Sequence, residues 1–232
     1  MKLTPELCEI AGMIAADGCV QKNYVCMWGN IFEDKSYYDD YMAPLFEKQF
    51  DVKLNVHEKK SNSVYGFYLC RREVVKFLGE NFGFNEGVKT YSVKVPEKII
   101  DSRNKKFYAS FIRGFTDCDG CLNFHKSYGK YSYFKRTFHH YPRIMLSSVS
   151  PMIIQDMSEM LDFLGIKHFT RLHKAGLSYY AEVKGVDRLE RWMDLISFKN
   201  PAKLTKYMIW EEFGFCPPNT SLIDRFKMLK KE

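Results

Sequence analysis

The chain has 232 residues, a formal net charge of +7, 46% hydrophobic residues and 16% aromatics. That is too much apolar material for global disorder and enough for one large domain or two small ones. No apolar run reaches the roughly 18 residues of a membrane span. The opening MKLTPELCEI carries Glu6 and Glu9 where a signal or transit peptide would be apolar or basic. Seven cysteines without framework spacing read as reduced thiols. The expected setting is intracellular, cytoplasm or nucleoid, with no membrane partner.

The first predicted element is a helix. Thr4 is its N-cap and Pro5 its first residue, and Leu7, Ile10, Met13 and Ile14 follow at helical spacing. Gly18 is expected to end it at positive φ. CVQKNYVCMWGNIF reads as two strands turning at Lys22 and Asn23. DKSYYDDYMAPLFEKQF is helical in period, with Pro44 marking an irregularity. VKLNVHEK and SVYGFYLC form a strand pair, RREVVKFLGENFGF a helix, and VKVPEKIIDS a bridge.

The same order then repeats. The helix around YASFIRGFTDCDG leads into CLNFHKSYGKYSYF and YPRIMLSSVS. SPMIIQDMSEMLDFLG is a helix with Ser150 as N-cap and Pro151 at its first position. KHFTRLHK and LSYYAEVKG pair as strands, and VDRLERWMDLIS and KNPAKLTKYMIWEEFG are helices. RFKMLKK reads as a basic tail, helical or frayed. His139 and His140 are expected at a hairpin tip. Trp28, Trp192 and Trp210 are assigned to the core, and the Cys118–Cys121 C-x-x-C to packing. The expected fold class is α+β. It comprises two pseudo-symmetric α-β-β-α-β-β-α repeats, 1–100 and 101–232, each with an antiparallel four-stranded saddle-shaped sheet.

Within the repeat, AGMIAADGCV (11–20) recurs as RGFTDCDGCL (113–122) at an offset of 102 residues. Gly12 matches Gly114, Asp17 matches Asp119, Gly18 matches Gly120, and Cys19 matches Cys121. Gly12 and Ala16 share one helix face, as do Gly114 and Cys118. Such small faces let the two helices pack together about a pseudo-twofold axis. Asp17 and Asp119 would then meet at two negative helix-dipole ends, beside the last carbonyls. Either their pKa values rise or a cation sits there. Carboxylate and carbonyl oxygens suit Mg²⁺ or Ca²⁺, whereas Zn²⁺ prefers Cys and His.

IAGMIAADG (10–18) and IRGFTDCDG (112–120) resemble the two signature motifs of single-chain LAGLIDADG homing endonucleases. The likeness extends to VPEKI and to the element order of nearly the whole chain. The sixth motif position, often acidic in the family, is Ala15 in one copy and Asp117 in the other. The resemblance implies that Asp17 and Asp119 bind the catalytic metal ions, helped by the carbonyls of Ala16 and Cys118. It implies Mg²⁺-dependent hydrolysis of both strands at a long asymmetric DNA target, with Ca²⁺ able to occupy the sites without supporting cleavage. Lys89 and Lys203 end corresponding segments, FGFNEGVK and ISFKNPAK, and similar lysines in the family make them candidates to polarise water or offset phosphate charge.

Charge and strand pattern bear on the partner. Residues 1–101 hold 13 Lys/Arg against 15 Asp/Glu, and residues 102–232 hold 22 against 13. The second half should supply more of the attraction to a polyanion. In VKLNVHEK, Val52, Leu54 and Val56 alternate with Lys53, Asn55, His57 and Lys59. In KHFTRLHK, Lys167, Arg171 and His173 share a face with Phe169. Gln21, Asn123 and His125 follow the two motifs. The resemblance makes these the candidate DNA contacts, since an antiparallel ribbon fits the major groove. The expected protein is a monomer, encoded in an intron, whose partner is double-stranded DNA. An intron RNA maturase and a non-cleaving DNA-binding regulator remain the alternatives, and intron RNA the second partner.

Overall fold

Thr4 begins the first element as predicted: its hydroxyl accepts a hydrogen bond from the Leu7 amide at 3.2 Å in the computed structural model, a cap of about 1 kcal/mol. The structure describes residues 2–59, 62–87, 91–126, 138–172, 176 and 178–230. Helix α1 (Pro5–Ala16) is buried from Leu7 to Ala15, so it is a core helix rather than a surface one.

After α1, strands β1 (Cys19–Val20) and β2 (Val25–Asn30) are joined by the predicted tight turn, which closes through the Gln21 amide and the Tyr24 carbonyl at 2.8 Å. Helix α2 (Lys35–Tyr37) passes through a π-turn (Tyr38–Met42) into α3 (Ala43–Phe50). The Ala43 amide bonds the Tyr38 carbonyl, five residues back. Pro44 has no amide hydrogen to continue a regular ladder, which accounts for the irregularity here. Strands β3 (His57–Lys59) and β4 (Val64–Leu69) and helix α4 (Arg72–Phe82) complete the first set. A short helix α5 (Glu97–Asp101) lies in the bridge.

The second set runs α6 (Lys105–Asp119), β5 (Cys121–His125), β6 (Tyr141–Ser148), α7 (Pro151–Phe163), β7 (Phe169–Leu172), β8 (Tyr179–Lys184) and α8 (Val186–Leu195). Helices α9 (Pro201–Phe213) and α10 (Leu222–Leu229) follow. The two sheets have orders β1-β2-β4-β3 and β5-β6-β8-β7, antiparallel throughout. The repetition read in the sequence is thus a repetition of topology. Each sheet turns its apolar positions toward the helices: Met27 opposite Phe67 in one, Ile144 opposite Val183 in the other. All four are buried, and the other face of each sheet stays open.

Helices α1 and α6 form the seam. A Cβ on Gly12 would sit 2.1 Å from the Phe111 carbonyl oxygen, and one on Gly114 would sit 2.1 Å from the Glu9 carbonyl oxygen. Nothing larger than hydrogen fits there, as the matched small faces predicted. Polar stitches reinforce the seam. Arg113 Nε donates to Glu9 Oε1 at 2.9 Å, its Nη2 pairs with Glu9 Oε2, and the Tyr41 hydroxyl donates to Glu9 Oε1 at 2.9 Å. The Val95 amide donates to Asp156 Oδ2 at 2.9 Å, tying the bridge to α7.

Several expectations change. Ser150 is the N-cap residue of α7, but its hydroxyl donates to the Val93 carbonyl at 2.7 Å instead of capping the helix. RFKMLKK is helical as far as Leu229, as the first of its two readings had it, but it is more than a basic tail: within α10, Arg225 is buried and pairs with Glu33 at 2.5 Å, and its Nε donates to the Thr205 hydroxyl at 3.0 Å. A buried guanidinium requires such partners. His139 and His140 sit at the foot of β6, where His139 Nδ1 meets the Phe124 carbonyl at 2.7 Å. Of VKLNVHEK only His57–Lys59 joins a ladder. Val52, Leu54 and Val56 still pack against the core, so the alternation holds without the strand. Trp192 is core as expected. Trp28 is not, because it lies on the open face of the first sheet against His57 and Tyr68.

Candidate functional site

The last turns of α1 and α6 end side by side, and each ends on an aspartate. Asp17 is the C-cap of α1, its amide still bonded to the Met13 carbonyl at 3.0 Å. Asp119 is the last residue of α6. Gly18 and Gly120 follow without positive φ, contrary to the expectation for Gly18. Their requirement is space. A Cβ on Gly18 would lie 2.7 Å from the Ile14 Cα, and one on Gly120 would lie 2.8 Å from the Thr116 Cα. Each glycine lets the chain turn back against its own helix and leave directly into a sheet.

The two carboxyls are close enough to share a hydrogen bond. Burial pushes the Asp17 pKa up to about 7, with Asp119 and then Asp34 adding repulsion against the opposing pull of Lys203. A carboxyl pair of this kind holds a proton near neutrality or gives it up to a cation. The electrostatic conflict read from the sequence is present in the fold.

Lys203 belongs to α9 and is almost fully buried. Its ammonium donates to the Asp117 carbonyl at 2.6 Å. The second repeat thereby brings its predicted lysine beside the acids. Lys89 lies outside the described residues, as does His173. Asp117, at the sixth motif position, points away from the pair. Its Oδ2 accepts the Lys199 amide at 2.8 Å. Burial pushes its pKa up to about 7, while Lys203 pulls the other way.

Two residues absent from the sequence reading complete this frame. Asn200 caps α9 through the Ala202 amide at 2.8 Å. Its Nδ2 donates to the Asp117 carbonyl at 2.9 Å and to Asp34 Oδ1 at 2.8 Å. Asp34 also accepts the Asn30 amide at 2.9 Å. The Asn-Pro dipeptide at 200–201 signals a helix start and could have drawn attention to Asn200. Asp34 carries no local signal. Among the described residues, no group of three or more His, Cys, Asp or Glu side chains converges on a metal position. Asp34 is near enough to act on Asp17, but its oxygens are already engaged by Asn200 and the Asn30 amide.

A hollow of about 320 Å³ touches Asp119, Ala16 and Ser147, and a larger one of about 880 Å³ touches Gly18, Cys19 and Gln21. On the open faces, Gln21 Nε2 donates to Cys19 Sγ at 3.3 Å, and Asn123 Nδ2 donates to Cys121 Sγ at the same distance, a pair of contacts related by the sequence repeat. Lys53 and Asn55 are exposed in extended chain before β3. Lys59 lies 3.8 Å from the Trp28 ring centroid and 2.6 Å from the Tyr68 hydroxyl, and the His57 ring is 5.3 Å from Trp28. Lys167 is exposed just before β7, and Arg171 is exposed within it. Burial lowers the His125 pKa, helped by Arg143.

Comparison with known proteins agrees with this architecture. Residues 106–196 match the family model of the LAGLIDADG-like domain. The fold is that of LAGLIDADG homing endonucleases of solved structure. The homing endonuclease I-DmoI is 15% identical, with a TM-score of 0.56 over 83% of this chain and 95% of its own. I-LtrWI bound to target DNA is 14% identical, with a TM-score of 0.59 over 98% of this chain and 91% of its own. I-SmaMI, as a lysine variant, is 12% identical, with a TM-score of 0.58 over 92% of this chain and 90% of its own. I-DmoI has been crystallised with DNA and Mn, with DNA and Ca, and, as a variant, with its target in 2 mM Mg. Among the described residues, no helix of this chain is long and apolar enough to cross a membrane.

Proposed function

We propose that this chain is a site-specific, divalent-metal-dependent DNA endonuclease that makes a staggered double-strand break at a long asymmetric target. One observation carries the reading. Asp17 and Asp119 are held together at the ends of two closely packed core helices, with Asp17 raised to about 7, between two sheets whose outer faces are open. An arrangement that strains its own electrostatics is a candidate for function.

The donor set fits Mg²⁺, which takes one or two carboxylates together with substrate phosphates rather than a full protein cage. Asp17 and Asp119, with the carbonyls of Ala16 and Cys118, would hold it, and Ca²⁺ would fit the same oxygens. Bound there, a divalent ion supplies Lewis acidity for hydrolysis of a phosphodiester. The protein's own contributions are more specific. Gly12 and Gly114 fix the spacing of the acids. Lys203 anchors the last turn of α6 through the Asp117 carbonyl and offsets negative charge beside Asp17 and the scissile phosphate. Lys89 ends the corresponding segment of the first-repeat sequence and is proposed for the matching role.

The repeats 1–100 and 101–232 would each engage one half of the duplex, so a single chain completes the site. Gln21, Lys53, Asn55, His57 and Lys59 would contact one half. Asn123, His125, Lys167, Arg171 and His173 would contact the other, through bases and phosphates. Intron encoding remains part of the proposal, as does action as a monomer.

The test is cleavage of the protein's own coding locus with the intervening sequence removed, incubated with Mg²⁺ and with EDTA. A discrete double-strand break in Mg²⁺ alone is the expected result. Tight binding of that duplex or of intron RNA without a break would transfer the assignment to the regulator or the maturase.

A further inference from the structure

Glu182 is 1% exposed, yet it lies on the open face of the second sheet. Its register partners are Met145 on β6 and Phe169 on β7. The neighbouring positions of β8, Ala181 and Val183, face the helices, so Glu182 faces the other way. A carboxylate on a surface meant for a polyanion opposes binding. Burying it is also costly unless it is paired.

Two cations pair it. Arg143 Nε, from the cross-strand neighbour β6, forms an ion pair with Glu182 Oε1, and Lys184 Nζ lies 2.6 Å from Oε2. The Arg143 and Lys184 side chains remain 31% and 33% exposed. Both can therefore be reached from the open side while Glu182 cannot. Burial and the charges of Arg143 and Arg171 push the Lys184 pKa down despite the Glu182 contact. The patch is thus rich in cations crowded around one buried acid.

The orientation of Arg143 follows from which nitrogen is taken. The Nε side of the guanidinium faces Glu182, and the edge formed by Nη1 and Nη2 is not the one paired with it. Two parallel N–H donors match the O6 and N7 acceptors that guanine presents in the major groove. A phosphate can take the same fork, but only a base contact makes affinity depend on sequence. Arg143 stands on β6, an interior strand of its sheet, beside the buried acid that fixes its edge, and the base contact is the reading tested below.

Building on the proposed DNA-cleaving function, we infer that Arg143 reads a guanine in the half-site engaged by the second repeat, with Glu182 as the positioning residue that orients its guanidinium. Neither residue belongs to the metal site, and neither stands out in the sequence, where Glu182 is one charge in YYAEVKG.

The experiment measures binding of the full chain to a panel of duplexes carrying every single-base substitution of the selected target, in EDTA so that cleavage plays no part. Arg143→Ala should lose about 5- to 150-fold of discrimination at one guanine and leave the other positions unchanged. Arg143→Lys should lose most of the same preference, because the bidentate edge is gone. Glu182→Gln should weaken preference at that same base pair while raising affinity for unrelated DNA, since one negative charge is removed. A mainly structural role for Glu182 would instead weaken all duplexes alike. That result would overturn the inference, as would Arg143→Ala lowering affinity uniformly with a smaller salt dependence, the mark of a phosphate contact. A wild-type protein that binds its duplex selectively but never cuts in Mg²⁺ contradicts the nuclease function alone, and the panel still decides Arg143. A wild type with no sequence preference overturns both.

Discussion

Gly12 and Gly114 face one another's helices so closely that a methyl group on either would lie 2.1 Å from a backbone oxygen of the other helix. That contact sets the distance between Asp17 and Asp119, about one and a half helical turns beyond. Gly12→Ala should therefore act twice. Alanine's helix propensity returns about 1 kcal/mol, but the clash is with backbone, which cannot swing aside. A net destabilisation of about 3 kcal/mol is expected from chemical denaturation, toward the upper end for overpacking. The variant should also lose more cleavage than DNA binding, because the acid pair is displaced while the sheet faces are not.

The acid pair should make the metal-free protein less stable as pH rises. Asp17 is raised to about 7, by burial first and Asp119 next, whereas an unfolded aspartate titrates near 3.9. Between those values the folded state binds more protons than the unfolded one, so stability falls as pH rises through that window. Asp117, also about 7 through burial, acts in the same direction. Thermal denaturation in EDTA should show a lower Tm at pH 8 than at pH 6. Mg²⁺ or Ca²⁺ should raise Tm more at pH 8. Asp17→Asn should reduce both effects, and an unchanged pH profile in that variant would leave the shift to Asp117.

The Glu9–Arg113 pair should be worth more than a surface salt bridge. Glu9 is 1% exposed, and two donors from Arg113 and one from Tyr41 converge on it. Removing one partner strands the other, so Glu9→Ala should cost about 3–5 kcal/mol. Glu9→Gln, which keeps an acceptor, should cost less. Equal losses in urea titrations would show that charge rather than hydrogen bonding dominates.

Charge asymmetry gives a separate prediction about DNA. Arg171 is exposed on β7 and Lys53 is exposed before β3. Arg171→Glu should weaken duplex binding and flatten its salt dependence more than Lys53→Glu, since the second half carries the basic excess. Equal effects, measured across a salt series, would remove the basis for that asymmetry.

Much of this was legible in the sequence because it rests on local chemistry repeated twice. Periodicity and the small faces of Gly12 and Gly114 identify the helix pair. Asp17 and Asp119 advertise themselves by being acids at the wrong helix end. The failures share a cause as well. Trp28 was assigned to the core because hydrophobicity does not reveal which side of a sheet is covered. Arg225 read as tail because its buried partner, Glu33, is nearly two hundred residues away. Asp34, Asn200 and the Arg143–Glu182 pair depend on neighbours brought together only by the fold. Gly18 was expected for its φ freedom, but it and Gly120 are needed for space, which spacing alone does not distinguish.

The most direct test is single-turnover cleavage of the identified target in Mg²⁺ by the wild type, Asp17→Asn and Asp119→Asn, with duplex affinity measured in parallel. The wild type should cut both strands. Each variant should lose cleavage by orders of magnitude while binding within a few-fold of wild type. Near-normal cutting by both variants would contradict a metal-dependent site built on the two aspartates.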